Sequence, residues 1–172
     1  VIIYTVGHST RSLADFVELL TAHGIRQLVD IRSVPRSRRH PHFSGDALVE
    51  SLAASGIVYR HSRALGGLRK PRRDSRNTVW RVEGFRGYAD YMETAAFGAA
   101  LDELIEVAGQ VRTVIMCAEA VPWRCHRQLV ADALVARAIE VRHVATPTAA
   151  PLHTLTDFAD VVNGRVAYRN LI

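Results

Sequence analysis

Along the chain, short runs of consecutive apolar residues alternate with stretches in which apolar residues recur every three or four positions. Ile2 to Val6 is a β-branched run closed by Gly7, and Leu13, Phe16, Val17 and Leu20 then share one helical face. Ser12 followed by Asp15 resembles a capping box, which puts the helix start near Ser12 and its end at Gly24. Gln27 to Ile31 reads as a second buried strand, Asp46 to Ser55 as a helix ended by Gly56, and Ile57 to His61 as a third strand. From Arg86 the helical period runs through Tyr88, Tyr91, Met92 and Ala95 and on to Leu101, Leu104, Ile105 and Ala108, before Gly109. Thr113 to Met116 predicts a fourth strand, Arg127 to Ala138 a further helix and Glu140 to Val144 a fifth strand. The remainder is rich in Pro, Thr and Ala, then weakly helical, and is expected to pack on or beside the core.

Strands and helices alternating at these lengths imply right-handed crossovers and a mainly parallel sheet covered on both faces. The expectation is a three-layer open α/β sandwich, Rossmann-like, with about five strands. A chain of 172 residues falls within the usual span of one domain, here with a core over 2–145 and a tail over 146–172. No apolar run approaches the ~20 residues of a membrane helix, so no membrane partner is expected. The opening residues lack the basic region of a signal peptide. Two cysteines make no disulfide framework, and the expected compartment is the cytoplasm.

Charge adds one feature. The net charge is +5, and Lys70 is the one lysine among 22 basic residues. Between Arg32 and Arg86, 13 basic residues face four acidic ones, so this segment holds more than the whole excess. That implies an anionic partner, a nucleotide or a nucleic acid. Phe43, Tyr59, Trp80, Phe85, Tyr88 and Tyr91 are interleaved with the arginines or follow them, the mixture that holds phosphates and stacked bases, although Tyr88 and Tyr91 also fit the apolar face of a helix. Within the segment, Arg69, Lys70, Arg72, Arg73 and Arg76 lie in a loop from Leu65 to Val82 with no apolar anchor among them and Gly66 and Gly67 at its start. Such a loop is expected to be a mobile basic lid that closes on an anion; otherwise it is a solvated surface loop.

Ligands of open parallel sheets collect beyond the carboxyl ends of the strands, and three polar clusters fall there. After the first strand come Gly7, His8 and Ser9; after the second, Asp30, Arg32 and Ser37; after the fourth, Cys117, Glu119, Arg124, Cys125, His126 and Arg127. Asp30 and His8 are candidate acid–base groups, and Cys117 and Cys125 candidate nucleophiles. Ser9, Arg32, Ser37, Arg124 and Arg127 are candidate anion ligands, with Gly7, Glu119 and His126 in support. The plainer alternatives are an ion pair for Asp30, a hydrogen-bonded loop histidine at position 8, and core or cap cysteines. Six residues separate Cys117 from Arg124, one more than in the C-x5-R loop of thiol phosphatases, and Glu119 and Pro122 stand where glycines would turn amides inward. The C-x7-C spacing is also wrong for a structural zinc site, so neither a metal nor any particular cofactor is assigned.

The segments YTVGHSTRSLADFVELL, LVDIRSVPRSR, IVYRHSRALGG, GFRGYADYM and MCAEAVPWRCHRQLVADAL, in this order, resemble the DUF488 family of prokaryotic proteins of unknown function. The resemblance runs from Tyr4 to about Val144 and is most specific in the C-A-E…P…C-H-R block. It implies a cytosolic α/β domain with a T-x-G-H-S turn at Thr5, Gly7, His8 and Ser9, and a D-x-R-x-x-P-x-S loop at Asp30, Arg32, Pro35 and Ser37. The third block falls on Cys117, Glu119, Pro122, Cys125, His126 and Arg127. No reaction follows from it. The functional expectation is an enzyme acting on a phosphate-bearing ligand at the sheet edge. The alternatives are a nucleic-acid-binding module without catalysis and a Cys/His/Glu metal or thiol-redox protein.

Overall fold

The computed structural model describes residues 1–169. Its centre is a sheet of β1 (Ile2–Gly7), β2 (Gln27–Asp30), β3 (Val58–His61), β4 (Thr113–Cys117) and β5 (Glu140–His143), in the order β3-β2-β4-β1-β5 with every pairing parallel. The helices are α1 (Leu13–Ala22), α2 (Gly45–Ala53), α3 (Glu83–Met92), α4 (Ala95–Ala108) and α5 (Arg127–Ala136). Residues on β4 alternate between two apolar layers, as a strand's two-residue period requires. Val114 and Met116 pack with Phe16, Leu20, Leu48 and Leu52 of α1 and α2, whereas Ile115 and Cys117 pack with Leu101, Leu104, Leu129 and Leu134 of α4 and α5. This is the expected three-layer sandwich. It departs from the Rossmann order because β4 lies between β1 and β2. That insertion brings the carboxyl ends of β1, β2 and β4 side by side, with Gly7 opposite Cys117 and Asp30 opposite Met116.

Two expectations need correction. The long helical pattern after Arg86 is two helices. Thr94 is extended (φ −89°, ψ 155°) and its side chain accepts from the Phe97 N–H, so a second helix starts where the period alone shows one. The end of the tail is a hairpin, β6 (Ala159–Val162) with β7 (Arg165–Tyr168), joined by Asn163 and Gly164 at φ 51° and 75°. Both turn residues are left-handed, the geometry Asn-Gly supplies in a two-residue hairpin loop. Its anchor is Asp132 of α5, which is fully buried and accepts from Tyr168 Oη (2.8 Å), Thr156 Oγ1 (2.7 Å) and His153 Nε2 (2.7 Å).

The basic loop has polar anchors in place of the apolar ones it lacks. Buried Asp90 of α3 accepts from the Arg72 N–H (2.8 Å), Ser75 Oγ (2.7 Å) and Asn77 Nδ2 (2.7 Å). Burial pushes the Asp90 carboxyl up, but these bonds to its charged form outweigh it and hold the pKa below the ordinary 3.8. Arg69 lies over the Tyr91 ring at 3.7 Å, and Trp80 is buried against Phe85, Phe158 and Tyr168.

Candidate functional site

The loops after β1 and β4 are stitched together beyond the sheet. His8 N–H donates to the Cys117 carbonyl (3.0 Å) and Ser9 N–H to the Ala118 carbonyl (2.9 Å), continuing the β1–β4 register past the strand ends. A Cβ on Gly7 would run into the Glu119 carbonyl, so the close approach needs glycine there. Ile31 N–H donates to the Met116 carbonyl (3.0 Å), fixing the start of the third loop.

Arg32 leaves that loop held from several sides. Its Nε and Nη2 bind the Asp30 carboxylate at 2.9 and 2.6 Å, and Nη2 also donates to the Phe43 carbonyl (2.7 Å). Asp30 is fully buried and further accepts from the Arg32 N–H (3.1 Å) and Tyr59 Oη (2.6 Å). Burial and this bond to a carboxylate push the Tyr59 phenol well up, so it remains a donor. His8 stacks on Phe43 and donates from Nδ1 to the Ser9 carbonyl (2.9 Å), leaving Nε2 as an acceptor 3.4 Å from Arg32 Nη1. Burial, with Arg32 as a lesser contributor, lowers the His8 pKa to about 4, so the ring is neutral at neutral pH. Asp30 therefore stands in an ion pair, with His8 as a neutral neighbour of the same guanidinium.

Cys117 ends β4, and Cys125 stands two residues before α5. Both residues line one cleft, and the neighbouring Cys125 thiol favours a negative charge on Cys117, pulling the Cys117 pKa below its ordinary value against the effect of burial. The nearby Arg127 guanidinium acts in the same direction. Cys125 is pushed up by the same partnership and by burial, and holds its proton. Its sulfur accepts from the Arg127 N–H (3.4 Å) and lies 3.4 Å from His126 Nδ1. His126 donates from Nε2 to the Ile31 carbonyl (2.8 Å), so Nδ1 is a lone pair, and burial lowers the ring's pKa to about 4. Arg127 is 1% exposed, donates to the Glu119 and Ala120 carbonyls at 3.2 and 3.1 Å, and has no carboxylate within ion-pair distance among the described residues. A buried cation without a counter-charge is costly, and its field favours ionisation of the neighbouring Cys117 thiol.

Both cysteines line a cleft of about 500 Å³ at the strand ends. Arg32, Arg36 and Arg124 are among its lining residues, and Glu119 is the only acidic one. Val34, Leu68 and Val82, all more than half exposed, form apolar parts of its wall. Of the residues singled out in the sequence, Arg32, Cys117, Glu119, Arg124, Cys125 and His126 line this cleft. Asp30, His8 and Gly7 stand behind it as supports, and Arg127 lies buried beside the thiols. Ser37 caps a turn, its Oγ accepting from the His40 N–H (3.1 Å), and Ser9 has a left-handed backbone (φ 51°). Neither serine lines the cleft, nor do Arg69, Lys70, Arg72, Arg73 and Arg76, which follow its wall residue Leu68 along the flank of α3. Tyr59 and Phe43, which hold Asp30, Arg32 and His8, read from sequence only as interleaved aromatics.

Around Cys117 the backbone presents carbonyls. Glu119 O lies 3.6 Å from Cys117 Sγ and takes Arg127, an arrangement opposite to the inward amides of a phosphatase loop. Among the described residues no group of three or more His, Cys, Asp or Glu side chains is placed to hold a metal ion.

The family model described as Domain of unknown function DUF488 matches residues 12–134. No curated protein and no solved structure matches the chain.

Proposed function

Since the chain belongs to the DUF488 family, whose description names no activity, we propose its function from the site: a thiol-dependent enzyme acting on a phosphate-bearing ligand of the nucleotide class. The observation that carries this reading is the meeting of three arginines, two cysteines and an apolar wall in one cleft. Arg36 and Arg124 are exposed and bring the phosphate in; Arg32, fixed by Asp30, sets its position. The apolar wall takes the flat, less polar part of the ligand. Cys117 is the nucleophile, Cys125 shares its proton with it, and Asp30 and His8 act by holding Arg32.

Calorimetric titration with nucleotides and with inorganic phosphate tests the reading. Nucleotide is expected to bind more tightly than phosphate, and Arg124→Ala to weaken it about ten- to a hundredfold, the worth of one charge-assisted hydrogen bond. Cys117→Ser is expected to bind and not turn over. Wild-type protein that binds neither probe at low salt overturns the proposal.

A second reading has an observation of its own. Arg38, Arg39, Lys70, Arg73, Arg76 and Arg81 are exposed, make no salt bridge among the described residues, and continue the two segments that form the cleft wall. A bound nucleic-acid strand would release counterions there, giving a log–log salt slope of about −0.7 to −0.9 per neutralised phosphate. If this surface does not bind nucleic acid, oligonucleotide affinity will show no such slope.

A further inference from the structure

Two cysteines eight positions apart in sequence share one cleft wall while the segment between them, residues 118–124, is mostly exposed and ties into the core chiefly through backbone carbonyls. One sulfur ends a fully buried strand and the other lies just before a ten-residue helix, so two different elements, joined by this loop, bring them to the same cleft. The environment is asymmetric. Cys117 neighbours the buried Arg127 guanidinium, which has no carboxylate partner among the described residues, and Cys125 has the neutral His126 Nδ1 at 3.4 Å. A sulfur beside a guanidinium, paired with a second sulfur that has a proton acceptor of its own, is the arrangement a two-step oxidation uses.

We propose that Cys117 and Cys125 form a peroxide-responsive dithiol–disulfide couple, with Cys117 oxidised first and Cys125 resolving it. The Cys117 thiolate attacks one oxygen of hydrogen peroxide, the O–O bond breaks, Cys117 becomes a sulfenic acid, and the departing hydroxide takes a proton from solvent. The Cys125 sulfur then attacks the Cys117 sulfur. The S–S bond forms, the S–O bond breaks, and the Cys125 proton passes through His126 Nδ1 to the departing hydroxide, which leaves as water. The two electrons that reduce the peroxide come from the two thiols, and a small thiol reductant restores them. Closure removes the thiolate from the cleft, so a site that depends on it is switched off.

Hydrogen peroxide added to the wild-type protein, followed by denaturation, alkylation with N-ethylmaleimide and intact-mass measurement, tests this without any ligand of the cleft. The expected product is a monomer lighter by two hydrogens that takes up no maleimide, carries a Cys117–Cys125 cross-link on peptide mapping, and recovers both thiols with dithiothreitol. Cys125→Ser is expected to stop at a sulfenic acid on Cys117, trapped by dimedone, and Cys117→Ser to show no rapid oxidation. Sulfinic acid on Cys117 with Cys125 still alkylated, an intermolecular disulfide as the main product, or two unreacted thiols under conditions that oxidise free cysteine would each overturn the proposal. The wild-type mass alone decides whether the couple forms, so a variant that fails to fold leaves that result standing; the order of oxidation is read from the two variants, and a sulfenic acid that forms rapidly in Cys117→Ser overturns it.

Discussion

Removing the carboxylate of Asp30 leaves Arg32, 7% exposed, with no opposing charge, while Tyr59 loses its acceptor. Breaking a buried pair from one side costs about 3–5 kcal/mol, which for a chain of this size is a fall in Tm of roughly ten degrees or more. Asp30→Ala is therefore expected to destabilise strongly, and Tyr59→Phe, which loses one hydrogen bond, by about 1 kcal/mol. Thermal unfolding of the two variants checks both values; an Asp30→Ala protein melting within a few degrees of wild type would mean that Asp30 does not hold Arg32. Residue chemistry was legible in the sequence to the extent that chain neighbours carry it. Asp30 and Arg32 are two positions apart, and Cys125, His126 and Arg127 are consecutive. Tyr59 reaches Asp30 from an adjacent strand, and Phe43 reaches Arg32 and His8 from a separate turn, so only the fold reveals them.

For the helices and strands, the apolar period located the five sheet strands and most helix starts because burial on one or both faces imposes it. It did not register the break at Thr94, which a hydrogen bond from one side chain makes, or the β6–β7 hairpin, whose strands are short and half exposed. The Asn-Gly pair was the available signal for the hairpin. The tether of the basic loop was hidden for a related reason: Asp90 sits on the buried side of α3, and nothing in a helical pattern announces that it collects donors from a loop that precedes it. Asp90→Ala is expected to release residues 72–77 while leaving the sheet intact. In limited digestion, trypsin should cut at Arg72, Arg73 and Arg76 much faster in the variant than in wild type. Equal rates would show that the Asp90 bonds do not restrain the loop.

Across the whole molecule, one buried and two half-buried histidines contribute to the response to acid. Burial is the main cause of the lowered pKa values of His8 and His126, at about 4, and of His143, at about 3, each from the ordinary 6.5. The unfolded chain therefore binds more protons than the folded one below about pH 6.5. The stability these neutral rings carry is complete above that pH and is lost as pH falls toward the folded values, and the Asp90 contribution goes last, below its ordinary 3.8. Urea unfolding midpoints measured stepwise from neutral pH are expected to fall most steeply between about pH 6 and 4. A flat profile across that window would mean that the rings already titrate near their ordinary value.

The position of β4 between β1 and β2 also dictates an order of assembly. Up to residue 112 the growing chain holds β1, β2 and β3, yet β1 has neither of its neighbours, since both β4 and β5 come later. Only the β2–β3 pair can form, and the two halves of the sheet wait for a strand that closes loops of many tens of residues. Such long-range closure slows folding. A ribosome would thus release most of the first two-thirds of this chain before its sheet could have a centre, and a fragment of residues 1–112 should show no cooperative thermal transition by circular dichroism.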